Sequence, residues 1–464
     1  MFLSVLCVLV VENKSLPLRH LVHLASLRKQ KTILENFMKK ILLLIVFTTF
    51  ICPSFAQELD GWKLNGQIQL RTEVDGRDFS NSTHPLTFAS LRTRLGVDKT
   101  FDKKVQLFVQ FQDSRVFGEE PNTLTAVDNI DLHQGYVRLM KPFELDVNVQ
   151  AGRFEVAYGT ERFFGAVGWH YVGRSFDGVR FTLLPEQWNL DLFALTIKES
   201  NQYIGNATPV IYPYPQQPTP ATSIYGIWKK TELSKSSKFD LFGYYEIDRE
   251  DVAEKPDTNK LELFTTGGTY WGNYGDLSTI FEGAYQFGSK SGNDLSAYLI
   301  SLQLFYKTGI TKFGLGGDIL SGTDPESTSG DVNVFHASYG TNHKFYGFMD
   351  YFINIPNNTY NLGLNDFYAS ANFSPVGSKF NFDAVIHLFM SNQCVNIITQ
   401  ENPEGSDENM FGQELDLTMK YAFTENTNLV WGGSLFFPGE LFKTVYAPRE
   451  DTGYWTYLMI TAGL

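Results

Sequence analysis

Trp62-Lys63-Leu64-Asn65-Gly66-Gln67-Ile68-Gln69-Leu70-Arg71 sorts into two faces. Trp62, Leu64, Gly66, Ile68 and Leu70 fall on one, and Lys63, Asn65, Gln67, Gln69 and Arg71 on the other. Side chains alternate across a strand with period two, so the stretch reads as a β-strand with an apolar and a polar face. The next two segments repeat it. Ala89, Leu91, Thr93, Leu95 and Val97 oppose Ser90, Arg92, Arg94, Gly96 and Asp98. Val105, Leu107, Val109 and Phe111 oppose Gln106, Phe108, Gln110 and Gln112.

Working outward, strands are expected at 61–73, 88–100, 104–114, 131–140, 144–154, 177–184, 188–197, 222–234 and 238–248. Nine more are expected at 261–271, 275–288, 295–307, 312–320, 364–373, 378–390, 411–423, 427–436 and 453–464. Their connections alternate between short and long. Lys141-Pro142-Phe143 and Asn273-Tyr274 are short, whereas 74–87, 115–130, 155–176, 198–221, 249–260, 321–363, 391–410 and 437–452 are long. Tight turns at one end and long loops at the other are the layout of a membrane barrel. A propeller or sandwich buries apolar faces but does not explain this alternation. Open sheet edges cannot exist in hydrocarbon, so the strands must close into a ring. The expected fold is an all-β transmembrane antiparallel β-barrel of about 18 strands, with short periplasmic turns and long extracellular loops. The aromatic segment 343–352 would make nineteen strands. Single-chain barrels have even numbers, so it is assigned to the 321–363 loop, packed against the wall or mouth.

Composition agrees. Aromatics make up 15% of the 464 residues, yet nothing after residue 56 approaches the roughly 20 apolar residues of a membrane helix. Met38-Lys39-Lys40, the apolar run 41–51 and Pro53-Ser54-Phe55-Ala56 form a secretory signal, with cleavage expected after Ala56. Residues 1–37 lie upstream of that complete signal and read as a start chosen too early; 57–464 is the barrel. Of Cys7, Cys52 and Cys394 only the last survives processing, which excludes an intrachain disulfide. Removing 7 of 38 basic and 2 of 51 acidic groups with the leader leaves 31 and 49, net −18. That balance argues against nucleic acid as a partner.

One connection is unlike a surface loop. Between Gly152 and Arg180 lie Arg153, Glu155, Glu161, Arg162, Arg174 and Asp177, with many aromatics and glycines. It reads as a loop folded back into a structured interior, with its glycines permitting close backbone approach. In order along the chain stand Leu91-Arg92-Thr93-Arg94-Leu95-Gly96, Val109 to Arg115, Asp131 to Tyr136, Gly152-Arg153-Phe154-Glu155 with Tyr158-Gly159, and Gly173-Arg174-Ser175-Phe176-Asp177-Gly178. This ordered set, with Thr341 to Gly347, resembles the alginate export family of outer-membrane barrels. The resemblance implies a monomeric barrel with loops in its lumen, and passage of an anionic polyuronate through an arginine-rich constriction.

The alternation places Arg71, Arg92, Arg94, Gln110 and Gln112 on one polar face, with Gln134 and Arg138 on the next. Arginine pairs bidentately with carboxylates, so a ladder of them inside a pore would guide uronates. Arg115 and Arg180 join these candidates for the pore lining. Arg153, Glu155, Arg162, Arg174 and Asp177 are expected to brace the loop first and to bind ligand second. Trp62, Trp188, Trp228, Trp271, Trp431 and Trp455 are expected as interface anchors. His336 and His343 lack metal-ligand spacing, and Asp324, Glu326 and Asp331 read as a solvated acidic loop. The 198–221 loop, with five prolines among tyrosines, reads as stiff and exposed. No G-x-S-x-G, H-E-x-x-H or P-loop occurs, so no enzyme is expected.

The function expected is passive passage of polar or anionic saccharide-like solutes, without a cofactor. Outer-membrane lipid and lipopolysaccharide are the expected surroundings. Two alternatives remain at this point. One is a dedicated polyuronate secretion pore with periplasmic secretion components as partners. The other is a plugged structural or surface-binding barrel.

Overall fold

A computed structural model describes residues 61–464, apart from 123, 126–128, 184–188, 199–221, 253–254, 338, 399–402 and 447–449. The expected leader, the extension before it, Trp188 and nearly all of the 198–221 loop lie outside the described residues.

Eighteen strands form one sheet. The first nine are β1 (Trp62–Gly76), β2 (Leu86–Phe101), β3 (Val105–Val116), β4 (Ile130–Met140), β5 (Val147–Phe154), β6 (Phe176–Leu183), β7 (Asn189–Lys198), β8 (Thr222–Ser234) and β9 (Ser237–Val252). The others are β10 (Lys255–Tyr274), β11 (Leu277–Lys290), β12 (Asn293–Thr308), β13 (Thr311–Leu320), β14 (Leu364–Phe373), β15 (Phe380–Ile397), β16 (Ser406–Ala422), β17 (Thr427–Pro438) and β18 (Gly453–Gly463). Each pairs antiparallel with its chain neighbour, and β1 pairs with β18 from Gln67↔Gly463 to Gly76↔Tyr454. The ring is closed, so no edge is left to meet hydrocarbon.

All eighteen expected strands are present, but two expected long loops are not. β9 runs on to Val252 and β10 begins at Lys255, absorbing most of 249–260. The pair continues past register shifts at Lys255/Asn259 and Asn259/Leu261. β15 and β16 likewise extend to Ile397 and from Ser406, taking up much of 391–410. Polar composition there signalled solvent, not the end of backbone pairing. The turns at the other end are tight, as at Gly275-Asp276 and Gly309-Ile310.

β12 shows the pleat most plainly. Leu295, Ala297, Leu299 and Ser301 are buried, while Tyr298, Ile300, Leu302 and Leu304 are each more than 40% exposed. A run of exposed large apolar side chains repeated around the ring is a liability in water and the required surface in a bilayer. The inward side is not an empty tube. Residues 155–175 and 321–363 fold into it without strands, apart from one isolated bridge, Leu295↔Val332. Phe163, Phe164, Phe335, Tyr346, Met349 and Phe352 are almost wholly buried. The segment 343–352 is therefore a packed loop, as the even strand count requires. Near the long-loop end Phe79 and Phe442, on a short helix α1 (Glu440–Tyr446), close against Phe436 with centroids 4.8–5.7 Å apart.

Three of the expected interface anchors point inward instead. Trp228 is stacked between Tyr158 (4.8 Å) and Phe242 (4.3 Å). Trp455 is buried with Nε1 donating to Glu73 at 2.9 Å, and Trp271 shares the inward pleat with Thr265 and Thr269. Trp62 and Trp431 remain exposed. Residue type alone did not separate belt from lumen; the parity of each strand does.

Candidate pore constriction

The inward pleats of β1 and β2 carry Gln69, Arg71, Arg92 and Arg94, and all four are buried. What buries them is the backbone of 169–172. Arg71 Nη1 donates to the Trp169 carbonyl at 2.8 Å, while its guanidinium lies 4.0 Å over the Trp169 ring. Arg92 donates to the His170 carbonyl at 2.7 Å and Arg94 to the Val172 carbonyl at 3.1 Å. On β3, Ser114 donates to the Tyr171 carbonyl at 2.8 Å. Four successive carbonyls of one loop are thus held by wall side chains. Gly173, at φ 78°, turns the chain beside Arg94 where a Cβ would collide with the guanidinium.

The wall also cross-links itself. Arg92 reaches Gln67 and Gln69, Arg94 donates to Gln112 at 2.6 Å, and Gln134 donates to Gln110 at 3.3 Å. Glu155, just past β5, meets Arg94 at 3.1 Å and His133 at 2.8 Å. Burial alone would raise its carboxyl, but His133 and Arg94 outweigh that and hold it below the usual carboxylate range. Burial, reinforced by Arg71 and Arg92, keeps the His170 imidazole below its ordinary value.

Arg162 goes to the opposite side. Nε donates to Glu282 (2.8 Å) and Nη1 to Asp318 (2.9 Å), with further bonds to Tyr346 Oη (2.8 Å) and Ser301 (3.2 Å). The guanidinium lies 4.0 Å from the Phe345 ring. Its side chain has no solvent exposure and its pKa stands above the free value, the buried carboxylates outweighing desolvation. Arg174 donates to the Gly340 carbonyl at 3.1 Å. The two loops are further joined by Gly165 N–H to Tyr339 O and Thr341 N–H to Glu161 O.

Glu282 and Asp318 belong to an acidic arc that also holds Asp366, Glu414 and Asp416, all buried on the inward pleats of β11 to β16. Sequence reasoning missed this arc, although the same alternation marks it. The arginines that mark the lumen in the sequence fall on the first six strands and their connections, whereas the arc lies on β11 to β16. The arc binds loop 321–363 through backbone: Met349 N–H donates to Glu414 at 2.8 Å and Phe348 N–H to Asp416 at 3.3 Å.

Three candidates lie elsewhere. Arg115, Arg153 and Asp177 sit on pleats opposite Ser114, Phe154 and Phe176, whose side chains reach the lumen, so they face outward near the long-loop rim. Arg153 pairs bidentately with Asp177 at 2.7–2.8 Å, and Arg115 pairs with Asp113. Their expected place in the pore lining is corrected on this parity. Arg138 and Arg180 face inward closer to the tight turns, and both donate to Gln150 at 2.7 Å.

With this geometry in view, residues 63–451 match the alginate export family. The chain belongs to the alginate export family. Family and fold are those of outer-membrane barrels. No curated protein matches the sequence. Among solved structures, Pseudomonas aeruginosa OccK8 (OprE) superposes with TM-score 0.55 at 12% identity, covering 88% of this chain and 99% of its own. Acinetobacter baumannii OccAB1 gives 0.55 at 12% identity, with 86% and 96% covered. Pseudomonas aeruginosa OpdK with vanillate gives 0.51 at 10% identity, with 87% and 98% covered. At such identities the likeness is one of fold. Within the alginate export family member, the inward arginines of the first strands hold loop carbonyls in place.

Proposed function

We propose that this alginate export family member is a passive outer-membrane channel for polar, anionic, saccharide-like solutes, and that it needs no cofactor. One observation carries the reading. Inward positions in the turn-side half of the barrel include Arg138, Arg180, Lys230, Lys238, Lys312 and Lys420, assigned by the pleat of their strands. The acidic groups sharing that half on inward pleats include Asp98, Glu232 and Asp383, while Asp191 and Asp240 are buried against Tyr158 and Trp228. With Asp191 and Asp240 buried, cations outnumber the exposed carboxylates named in this half, whereas the acidic arc lies beyond it toward the long loops. A local excess of one sign along a pore draws counter-ions and biases selectivity.

A second reading is supported by the packing of 155–175 and 321–363: a barrel plugged at rest. Planar-bilayer recording separates the two. The expected result is ion current with anion preference under a salt gradient, reduced or reversed in Lys238→Glu/Lys312→Glu. Absence of current from folded protein would refute the open channel and favour the plug. Current with unchanged selectivity in the double variant would refute the charge argument.

A further inference from the structure

The long-loop ends of β9 to β11 carry opposite charges on either side of an aliphatic side chain. Asp248 on β9 registers with Leu261 on β10, and Leu261 registers with Lys290 on β11. Asp248 and Lys290 are therefore two strand spacings apart, roughly 10 Å at Cα. Glu246 and Leu263, the next residues along the same pleats toward the turns, repeat the carboxylate and the leucine. Lys260 is occupied by Glu250 at 2.7 Å. Among the described residues Lys290 pairs with no carboxylate and Asp248 with no cation; Asp248 accepts the Glu250 N–H at 3.1 Å.

Loop 321–363 roofs this row and is fixed to the wall. Val332 N–H donates to the Asp294 carbonyl at 2.8 Å, and Ser296 N–H to the Val332 carbonyl at 3.0 Å. The Gln286 amide holds both backbone groups of His336, at 2.8 and 2.9 Å. Tyr339 Oη donates to Glu246 at 2.6 Å. Between roof and row lies a cavity of about 360 Å³, lined by Asp248, Glu246 and Lys290 with Leu261, Leu263 and Val334 among its apolar walls. A pre-formed recess with apolar walls and a few fixed polar groups is the usual form of a small-molecule site, and such sites measure about 300–1,000 Å³.

Charge decides the class of ligand. A simple anion would answer Lys290 but lie beside two carboxylates, and a simple cation would leave Lys290 unanswered. A polyol would meet leucine and valine where it needs hydrogen bonds. A ligand with both charges on adjoining atoms and an apolar chain matches every wall. We infer that this cavity binds a free α-amino acid with an aliphatic side chain, its ammonium on Asp248 and Glu246, its carboxylate on Lys290 and its side chain against Leu261, Leu263 and Val334. Each charge then makes a charge-assisted hydrogen bond, and the chain leaves water for an apolar wall. Because roof and wall are already joined, little ordering is needed on binding. The site lies at the long-loop end and does not depend on whether the barrel conducts, so it stands apart from the channel reading.

Calorimetric titration of L-leucine into the full-length protein in detergent tests the inference. Each of three analogues lacks one part: isoamylamine the carboxylate, isocaproate the ammonium and glycine the side chain. Saturable heat is expected with L-leucine, and each analogue is expected to bind at least roughly tenfold more weakly. Lys290→Gln is expected to bring L-leucine down to the level of isoamylamine. Asp248→Asn/Glu246→Gln is expected to bring it down to that of isocaproate. Heat-modifiable migration checks that each variant is a folded barrel. No saturable heat with L-leucine, or isocaproate or isoamylamine binding as tightly as L-leucine, would overturn the inference on the wild type alone, whatever the variants do. Unchanged L-leucine binding in folded Lys290→Gln would overturn it as well.

Discussion

Arg162→Met removes the one cationic side chain, among the described residues, that ties the 155–175 loop to the acidic arc. In the folded protein this guanidinium makes hydrogen bonds to Glu282, Asp318, Tyr346 and Ser301, and both carboxylates are buried to 1% exposure or less. Glu282 keeps Thr160 and Thr269 as donors, whereas the bonds to Asp318 described above come from Arg162 alone. Breaking a buried pair by deleting one partner costs about 3–5 kcal/mol, because the remaining charge is left uncompensated. At about 1.4 kcal/mol per tenfold, the population of released loop rises by roughly two to four orders of magnitude. The barrel itself should persist, since its ladder hydrogen bonds do not involve the loop. Hydrogen exchange of 155–175 should accelerate, single-channel conductance should rise, and heat-modifiable migration of the barrel should stay as in wild type. Arg162→Met/Glu282→Gln/Asp318→Asn should restore protection, because it removes the stranded charges along with the cation. Unchanged exchange in Arg162→Met would refute the claim that this ion cluster holds the loop. Loss of the folded barrel would refute the claim that loop and wall are separable.

Gly347 has φ 81° and a Cβ there would lie 2.6 Å from Glu414 Oε1, so Gly347→Ala should undock 347–349 and expose that segment to hydrogen exchange, with no change at 155–160. Trp228→Ala removes a fully buried indole stacked on two rings, and should lower stability by about 3–5 kcal/mol, read by calorimetry. Burial, with Lys290 nearby, lowers the His336 imidazole to about 4. A folded value below the unfolded one means that its contribution is complete above about pH 6.5 and is lost as pH falls toward 4. Protection of the 321–363 loop should therefore decline across that window, and His336→Gln should flatten the decline. A pH-independent wild type would contradict the assignment.

Strand number, order and the inward-folded loops were legible because each depends on a local pattern: period two along Trp62–Arg71, tight turns, and an odd segment at 343–352 too many for closure. What was not legible depends on partners far apart in sequence. Arg92, Arg94 and Arg162 look alike as residues, yet the first two hold carbonyls at 170 and 172 and the third crosses to Glu282 and Asp318. Parity was available for Arg115, Arg153 and Asp177 and would have put them outside the lumen. Their place beside a glycine-rich motif outweighed it. Trp228 and Trp455 went astray for the same reason, being read by residue type rather than by face.

The split of charge in the lumen explains why a long loop folds inward at all. A loop backbone offers carbonyl oxygens and N–H groups, and each needs a partner when buried. The first strands supply donors, so Trp169 to Val172 face them with carbonyls. The later strands supply carboxylates, so 348–349 face them with N–H groups and Arg162 with its guanidinium. Neither loop could exchange places with the other without leaving buried groups unpaired. On this argument, reversing one side alone is worse than deleting it. Asp318→Lys should release 155–175 more completely than Asp318→Asn, because it sets a second cation against Arg162. The comparison is made by hydrogen exchange on the two variants side by side. Equal protection in both would show that packing of Phe163, Phe164 and Tyr158, rather than charge, fixes the loop.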